Sequence, residues 1–177
     1  MKNLIVSWDS YSWIKFCSGM VARNPEDYKV MIIYSDDEAP LLSCKELCKE
    51  AIYAQRRHDL FSVGKSLGIK HISNLNYDSI QDFSSIIANI QINIMLQKPM
   101  NIFYQNKKIL NSLFNEISKF NIPTYSFGIN LNDVECLEVE LTTEELENKN
   151  KLKSMLIGVN DKFYLSGYPK TEKFFKL

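Results

Sequence analysis

Short apolar runs alternate along the chain with longer stretches of helical period. Lys2 to Ser7 is a β-rich run followed by turn-forming residues. Lys29 to Tyr34 is a second, entered from Asn24-Pro25-Glu26-Asp27, and His71 to Leu75 is a third and weaker one. Asn101 to Tyr104 and Thr124 to Phe127 predict strands four and five. Glu135 to Leu141 sets Cys136, Glu138 and Glu140 against Leu137, Val139 and Leu141, the alternation of a half-buried edge strand. Ser12 to Ala22 predicts the first helix. Ser43 to Leu67 predicts a long one, with Leu47, Ala51, Ala54 and Phe61 on one stripe and Gly68 where a C′ glycine belongs. Ile80, Phe83, Ile87, Ile90 and Ile94 recur at spacings of three and four within Ser79 to Gln97, and Lys98-Pro99 stops that helix. Asn106 can cap a helix to Phe120 whose inner face is Leu110, Leu113, Phe114, Ile117 and Phe120. Thr142 and Glu145 form a capping box for a last helix to about Ile157. In the tail, Lys162-Phe163-Tyr164-Leu165 is strand-like and Gly167-Tyr168-Pro169 turns.

This alternation predicts one α/β domain over residues 1–177: a three-layer α/β/α, Rossmann-like fold with a mostly parallel sheet and a central first strand. Ligands of such sheets bind beyond the carboxyl ends of the strands, which selects segments 7–13, 35–40, 75–78, 104–108 and 127–132. Composition is ordinary for a globular chain, 45% hydrophobic and 24% charged. The 21 basic side chains balance 21 acidic ones, so the basic footprint of a nucleic-acid binder is missing. No apolar run approaches the ~20 residues of a membrane span. Met1-Lys2-Asn3 leads straight into Leu4-Ile5-Val6, and Asp9 interrupts, which does not match a secretory signal. Cys17, Cys44, Cys48 and Cys136 are therefore expected as free thiols in a reducing, cytoplasmic setting. Cys44 and Cys48 can share a helix face, but the two further ligands of a zinc site are not evident nearby.

The selected segments offer limited chemistry. Asp36-Asp37-Glu38 is read first as a solvated loop, and otherwise as a hard-cation site with Asp9. Trp8, Tyr11, Trp13 and Tyr104 make either an aromatic platform for a sugar or base, or a plug of core side chains. Ser7, Ser10 and Ser12 lack a paired histidine. The two histidines have bland readings, His58 in mid-helix beside Arg57 and His71 at the strand end away from the active face. No glycine pattern of a dinucleotide-binding turn follows the first strand.

Several segments, in order, resemble the PIG-L (LmbE-like) zinc deacetylases. Arg56-Arg57-His58-Asp59 followed by Leu67-Gly68 is similar to the family's R-x-x-E…LG pattern, with Asp59 in the glutamate position; Leu75 and Asp78 follow as the family's leucine and acidic residue do. After the first strand the family carries A-H-P-D-D-E and a glycine pair. Here Trp8-Asp9-Ser10-Tyr11-Ser12-Trp13 stands there, followed by Cys17-Ser18-Gly19. The family's later H-P-D-H-R corresponds to Tyr104-Gln105-Asn106-Lys107-Lys108, and Cys136 to Lys151 resembles its late strand and lysine-bearing helix.

The resemblance implies an amino-sugar N-deacetylase fold with a zinc site, and it places Asp9 on the first zinc-binding histidine, Tyr11 on the general base, Ser12 on the second ligand and Lys107 on the third. Only Asp9 retains a good donor. An ammonium has no lone pair to offer, and a tyrosine with a pKa of about 10 is a poor base at neutral pH. The expectation is a PIG-L-like protein with no catalytic residues and no zinc. It would serve as a binding, scaffolding or assembly component for an unknown protein partner or sugar-type ligand. The pocket candidates are Trp8, Asp9, Tyr11, Ser12, Asp36, Asp37, Tyr104, Asn106 and Lys107, and Arg56–Asp59 is a candidate structural ion pair. The alternatives are an active metal-dependent N-deacetylase with relocated ligands, or an unrelated α/β module for a sugar or nucleotide.

Overall fold

The apolar runs become interior strands because helices cover them on both faces. The computed structural model describes residues 2–9, 11–34, 49–77, 83–105, 111–128, 132, 134–156 and 168–177. Its elements are β1 (Asn3–Ser7), α1 (Ser12–Arg23), β2 (Tyr28–Tyr34), α2 (Lys49–Leu67), β3 (His71–Tyr77), α3 (Phe83–Gln97), β4 (Asn101–Gln105), α4 (Asn111–Ser118), β5 (Thr124–Phe127), β6 (Cys136–Glu140), α5 (Thr143–Ser154) and β7 (Thr171–Lys176). They build a seven-stranded sheet in the order β3-β2-β1-β4-β5-β7-β6. The first five strands pair in parallel. β7 is antiparallel to both β5 and β6, so the sheet is mixed and mostly parallel. β1 is interior, and the middle position belongs to its neighbour β4.

Successive parallel strands step outward from β1 through β2 to β3, whereas β4 and β5 lie on its other side. The direction of winding therefore reverses between β1 and β4, which makes the crevice at their carboxyl ends the topological switch point. On one face α1, α2 and α5 bury Ile14, Val21, Leu60, Val63 and Leu152 against Ile5, Val30, Phe103 and Phe174. On the other, Ile86, Ile90 and Ile94 of α3 and Leu113 and Ile117 of α4 pack on Leu4, Val6, Met31 and Ile102. At roughly 1.5–3 kcal/mol for each fully buried large apolar side chain, these two cores dominate the stability.

Of the inner faces predicted for α3 and α4, Ile90, Ile94, Leu113 and Ile117 are buried and Phe83, Ile87, Phe114 and Phe120 half-buried, while α3 also buries Ile86, which the predicted face left out; both hydrogen bonds of the α5 capping box form: Thr142 N to Glu145 Oε2 at 2.8 Å and Glu145 N to Thr142 Oγ1 at 3.2 Å. Gly68 ends α2 with φ +76°, the left-handed conformation that disfavours side chains, and Ile69 N donates to Gly64 O across the turn. Two expectations are corrected. The stripe read on α2 is not its buried face: Ala54 is exposed and Phe61 is 69% exposed, while Asp59, Leu60 and Val63 point inward. β7 was expected only as tail. It is hidden in sequence because the buried Glu172 sits where the alternation calls for an apolar residue. The readings on 43–48, 79–82, 106–110 and 162–167 lie outside the described residues, as do Cys44, Cys48 and Asp78.

Candidate functional site

β1 ends at Ser7, and the chain turns through Trp8 and Asp9 into α1 at the switch point. Asp9 is only 7% exposed, and its carboxylate is held from four directions. Oδ1 accepts from the backbone N–H groups of Tyr11 (3.0 Å) and Ser12 (2.6 Å), which open α1. Oδ2 accepts from Ser12 Oγ (2.6 Å) and from Gln105 Nε2 (2.9 Å). An aspartate so placed supplies the acceptor and the negative charge that a helix amino terminus favours. Tyr11, the residue in the cap position, makes no side-chain cap of its own.

Gln105, the last residue of β4, is the hub of this cluster. Its Nε2 donates to Asp9 Oδ2 and to Ser12 Oγ (3.0 Å). Its Oε1 accepts from the backbone N–H of Trp8 (2.7 Å) and lies 3.4 Å from that of Asp9. Ser7 Oγ lies 3.0 Å from the same oxygen and 2.8 Å from the Asp9 carbonyl, so its one proton has two acceptors. All of these groups are buried, and each is answered by another. Gln105 was not singled out in the sequence. Its signal was weak: one polar residue closing an apolar strand, with nothing to reveal that β4 lies beside β1.

The structure brings Asp9 and Ser12 together and separates the aromatics. Trp8 and Tyr104 belong to the core under α3 and α4, whereas Tyr11 and Trp13 belong to the core under α1, α2 and α5. All four are nearly or fully buried, so the shared aromatic platform does not form. Burial pushes the Tyr104 hydroxyl well above its ordinary pKa. Tyr11 Oη makes a long contact of 3.5 Å with Asp59 Oδ2, and Asp59 is fully buried. Gln55 Nε2 donates to Asp59 Oδ1 at 2.8 Å, and the exposed His58 places Nδ1 3.8 Å from the same oxygen. The Arg56 side chain lies outside the described residues, as do Asp36, Asp37, Asn106 and Lys107.

A second buried polar cluster lies on the helix face. Glu172 of β7 is fully buried and accepts from Gly19 N (2.8 Å), Met20 N (2.7 Å) and the buried Lys149 ammonium of α5. Burial pushes the Glu172 carboxyl up, against the pull of Lys149 and the two backbone donors. A Cβ on Gly19 would stand 2.4 Å from Leu141 Cδ2 and 3.0 Å from Glu172 Oε1. Glycine is what lets α1 approach closely enough to deliver its N–H groups.

The zinc that the PIG-L resemblance implies needs about three nitrogen, sulfur or carboxylate donors with free lone pairs, plus an open position. The described residues at the switch point do not fit it. The Asp9 carboxylate is already saturated by four protein donors, Ser12 offers a hydroxyl that is spent on Asp9, and Gln105 turns an N–H group toward the carboxylate. Tyr11, in the general-base position, points its hydroxyl at Asp59 on the helix face.

No protein-family model matches the sequence, and no curated protein is significantly similar to it. Solved structures match over nearly the whole chain. A deacetylase of the teicoplanin biosynthetic pathway superposes with a TM-score of 0.69 at 9% identity, covering 99% of this chain and 97% of its own. N,N'-diacetylchitobiose deacetylase from Pyrococcus horikoshii gives 0.68 at 13%, covering 99% and 83%. GalB from Pseudomonas putida, a 4-carboxy-2-hydroxymuconate hydratase, gives 0.69 at 12%, covering 100% and 96%. Two hydrolases and a hydratase on one architecture mean that the architecture alone does not set the reaction. The chain has the fold of the PIG-L/LmbE-type deacetylases.

Proposed function

We propose that this protein is a PIG-L/LmbE-like fold without zinc-dependent deacetylase activity, serving as a binding, scaffolding or assembly component. One observation carries the reading: the Asp9 carboxylate, in the place of a metal ligand, is spent on the amino terminus of α1, the Ser12 hydroxyl and the Gln105 amide. A metal entering there would have to break at least one charge-assisted hydrogen bond for each lone pair it took, at roughly 1.5–3 kcal/mol apiece. It would gain one carboxylate in return. Without a bound metal, no water at the site is activated toward hydroxide.

Proton transfer is equally unsupported. Tyr11 replaces the family's base with a phenol, and the histidines stand elsewhere: His58 on the outside of α2, His71 at the amino end of β3. The resemblance sets Lys107 in the third ligand position, and an ammonium has no lone pair to give a metal. What remains is a hydrogen-bonded cluster that fixes the turn from β1 into α1, at the carboxyl end of the sheet where a protein or sugar-type ligand would bind.

The test is acetate release from N-acetylglucosamine and its oligomers, with and without added zinc. The expected result is release no faster than in protein-free buffer. Zinc-stimulated release that an Asp9→Ala change abolishes would overturn the proposal.

A further inference from the structure

The sheet face opposite α1, α2 and α5 is covered by α3 and α4, and α3 is apolar on both of its own sides. Ile86, Ile90 and Ile94 are buried against the strands. On the solvent side Ile92 is 51%, Met95 63% and Leu96 74% exposed, and Met100, just beyond the helix, is 64% exposed. Half of the exposed large apolar side chains among the described residues thus fall between Ile92 and Met100. α3 is also the one described helix with no Asp, Glu, Lys or Arg. A helix that meets water on one side ordinarily keeps that side polar or charged. A contiguous apolar stripe on a protein surface marks a contact with another molecule.

The order of side chains along the stripe says which molecule. The exposed residues of α3 are Ser84, Ser85, Ala88, Ile92, Met95 and Leu96. The three in the amino-terminal half are small, and the three in the carboxyl-terminal half are large. Ser84 with Leu96, Ser85 with Met95, and Ala88 with Ile92 are each centred on Ile90. A two-fold axis at the middle of the helix therefore sets every small residue of one copy opposite a large residue of the other. Two-fold interfaces require a surface that is complementary to itself in this way. The contact would run over ~18 Å of helix at 1.5 Å per residue. Antiparallel pairing also sets the two helix dipoles head to tail, and an uncharged α3 brings no like charges together. The bordering amides are answered within the chain, Gln91 by Glu116 and Asn93 by Lys29 and the Asn89 carbonyl, which lowers the cost of covering the stripe. A bilayer is matched less well, because helices that lie on membranes carry Lys or Arg on their polar face and α3 carries neither.

We propose that the outer face of α3 is the interface of a homodimer, in which α3 packs antiparallel on its copy with Ala88 opposite Ile92 and Ser84 opposite Leu96. The interface draws on no residue of the switch-point cluster and stands whether or not the protein binds zinc.

Sedimentation equilibrium of the full chain, from micromolar to submillimolar concentration, reads the mass. The expected result is a rise with concentration from 20.6 kDa toward twice that value. A single helix pair lies at the small end of specific interfaces, so the dimer should dissociate on dilution. Leu96→Glu, on an exposed position, should hold the chain monomeric and leave the thermal melt of dilute protein unchanged. Ile92→Ala should raise the dissociation constant about tenfold or more, since each dimer loses two side chains. Ala88→Ile alone should also weaken the dimer, by setting large side chains against each other, whereas a merely adhesive face would associate more tightly. The exchange of Ala88→Ile together with Ile92→Ala again sets large opposite small and should recover most of the wild-type affinity. A monomer at every concentration, including one that floats with phosphatidylcholine vesicles, would overturn the proposal. So would a dimer that survives Leu96→Glu, or an exchange variant that associates no more tightly than Ile92→Ala.

Discussion

Replacing Gln105 by leucine tests the switch-point cluster at its hub. The two side chains are close in volume, so the change removes hydrogen bonds while leaving little cavity. Trp8 N–H, bonded to Gln105 Oε1 at 2.7 Å, loses its acceptor inside the protein, at about 1–3 kcal/mol. Asp9 Oδ2 loses the Gln105 donor at 2.9 Å, a charge-assisted bond of about 1.5–3 kcal/mol. Ser7 Oγ keeps the Asp9 carbonyl as an acceptor and adds little. The sum is about 2.5–6 kcal/mol, a large part of the 5–15 kcal/mol typical of a domain. At roughly 2–4 °C per kcal/mol for a chain of this size, the melting midpoint should fall by about 10 °C. Urea denaturation followed by circular dichroism, with a thermal melt alongside, measures both. A loss below about 0.5 kcal/mol, the scale of an ordinary surface change, would refute the claim that Gln105 organises the site.

Three further changes probe the surrounding structure. Gly19→Ala forces a methyl to within 2.4 Å of Leu141 and against Glu172, so it should cost about 1–3 kcal/mol by chemical denaturation, where a mid-helix Gly→Ala would ordinarily stabilise. Lys149→Met leaves the buried Glu172 without its cation and should cost about 3–5 kcal/mol at neutral pH, partly recovered by adding Glu172→Gln. Because burial raises the Glu172 carboxyl above its ordinary value, folding favours its protonated form, and this stability is present at low pH and lost as pH rises through the folded value. The Lys149→Met penalty should therefore shrink in acid. Glu145 behaves in the opposite sense. The hydrogen bond from Arg23, aided by Thr142, lowers its carboxyl from 4.5 to about 2, so its contribution is complete above 4.5 and is lost as pH falls toward 2. Glu145→Gln should flatten the acid limb of the stability profile in that window, read from denaturation midpoints.

Much of the fold was legible because its strongest signals are local. Isoleucine at helical spacing in α3, the Thr142–Glu145 box and the Gly68 cap each need only a few neighbouring residues to take effect. The failures share a cause. α2 buries Asp59 among Leu60 and Val63, so a hydrophobicity pattern selects the wrong stripe and leaves Phe61 outside. β7 carries a charge at an inward position, and that charge makes sense only once Lys149, 23 residues away, is placed beside it. The candidate site divides in the same way. Asp9 and Ser12 are three residues apart and their link was local. Gln105 reaches them from 96 residues on, and only strand order could have revealed it. The aromatic residues misled because adjacent positions around a turn enter opposite faces of the sheet: Trp8 goes to one core, Tyr11 to the other.

Elemental analysis of the purified, dialysed protein for zinc is the most direct measurement on the central claim that the Asp9 carboxylate serves α1 and Gln105 instead of a metal. The account predicts zinc far below one atom per chain, and the same low value in Asp9→Asn. One zinc per chain in the wild type, lost in Asp9→Asn, would contradict it.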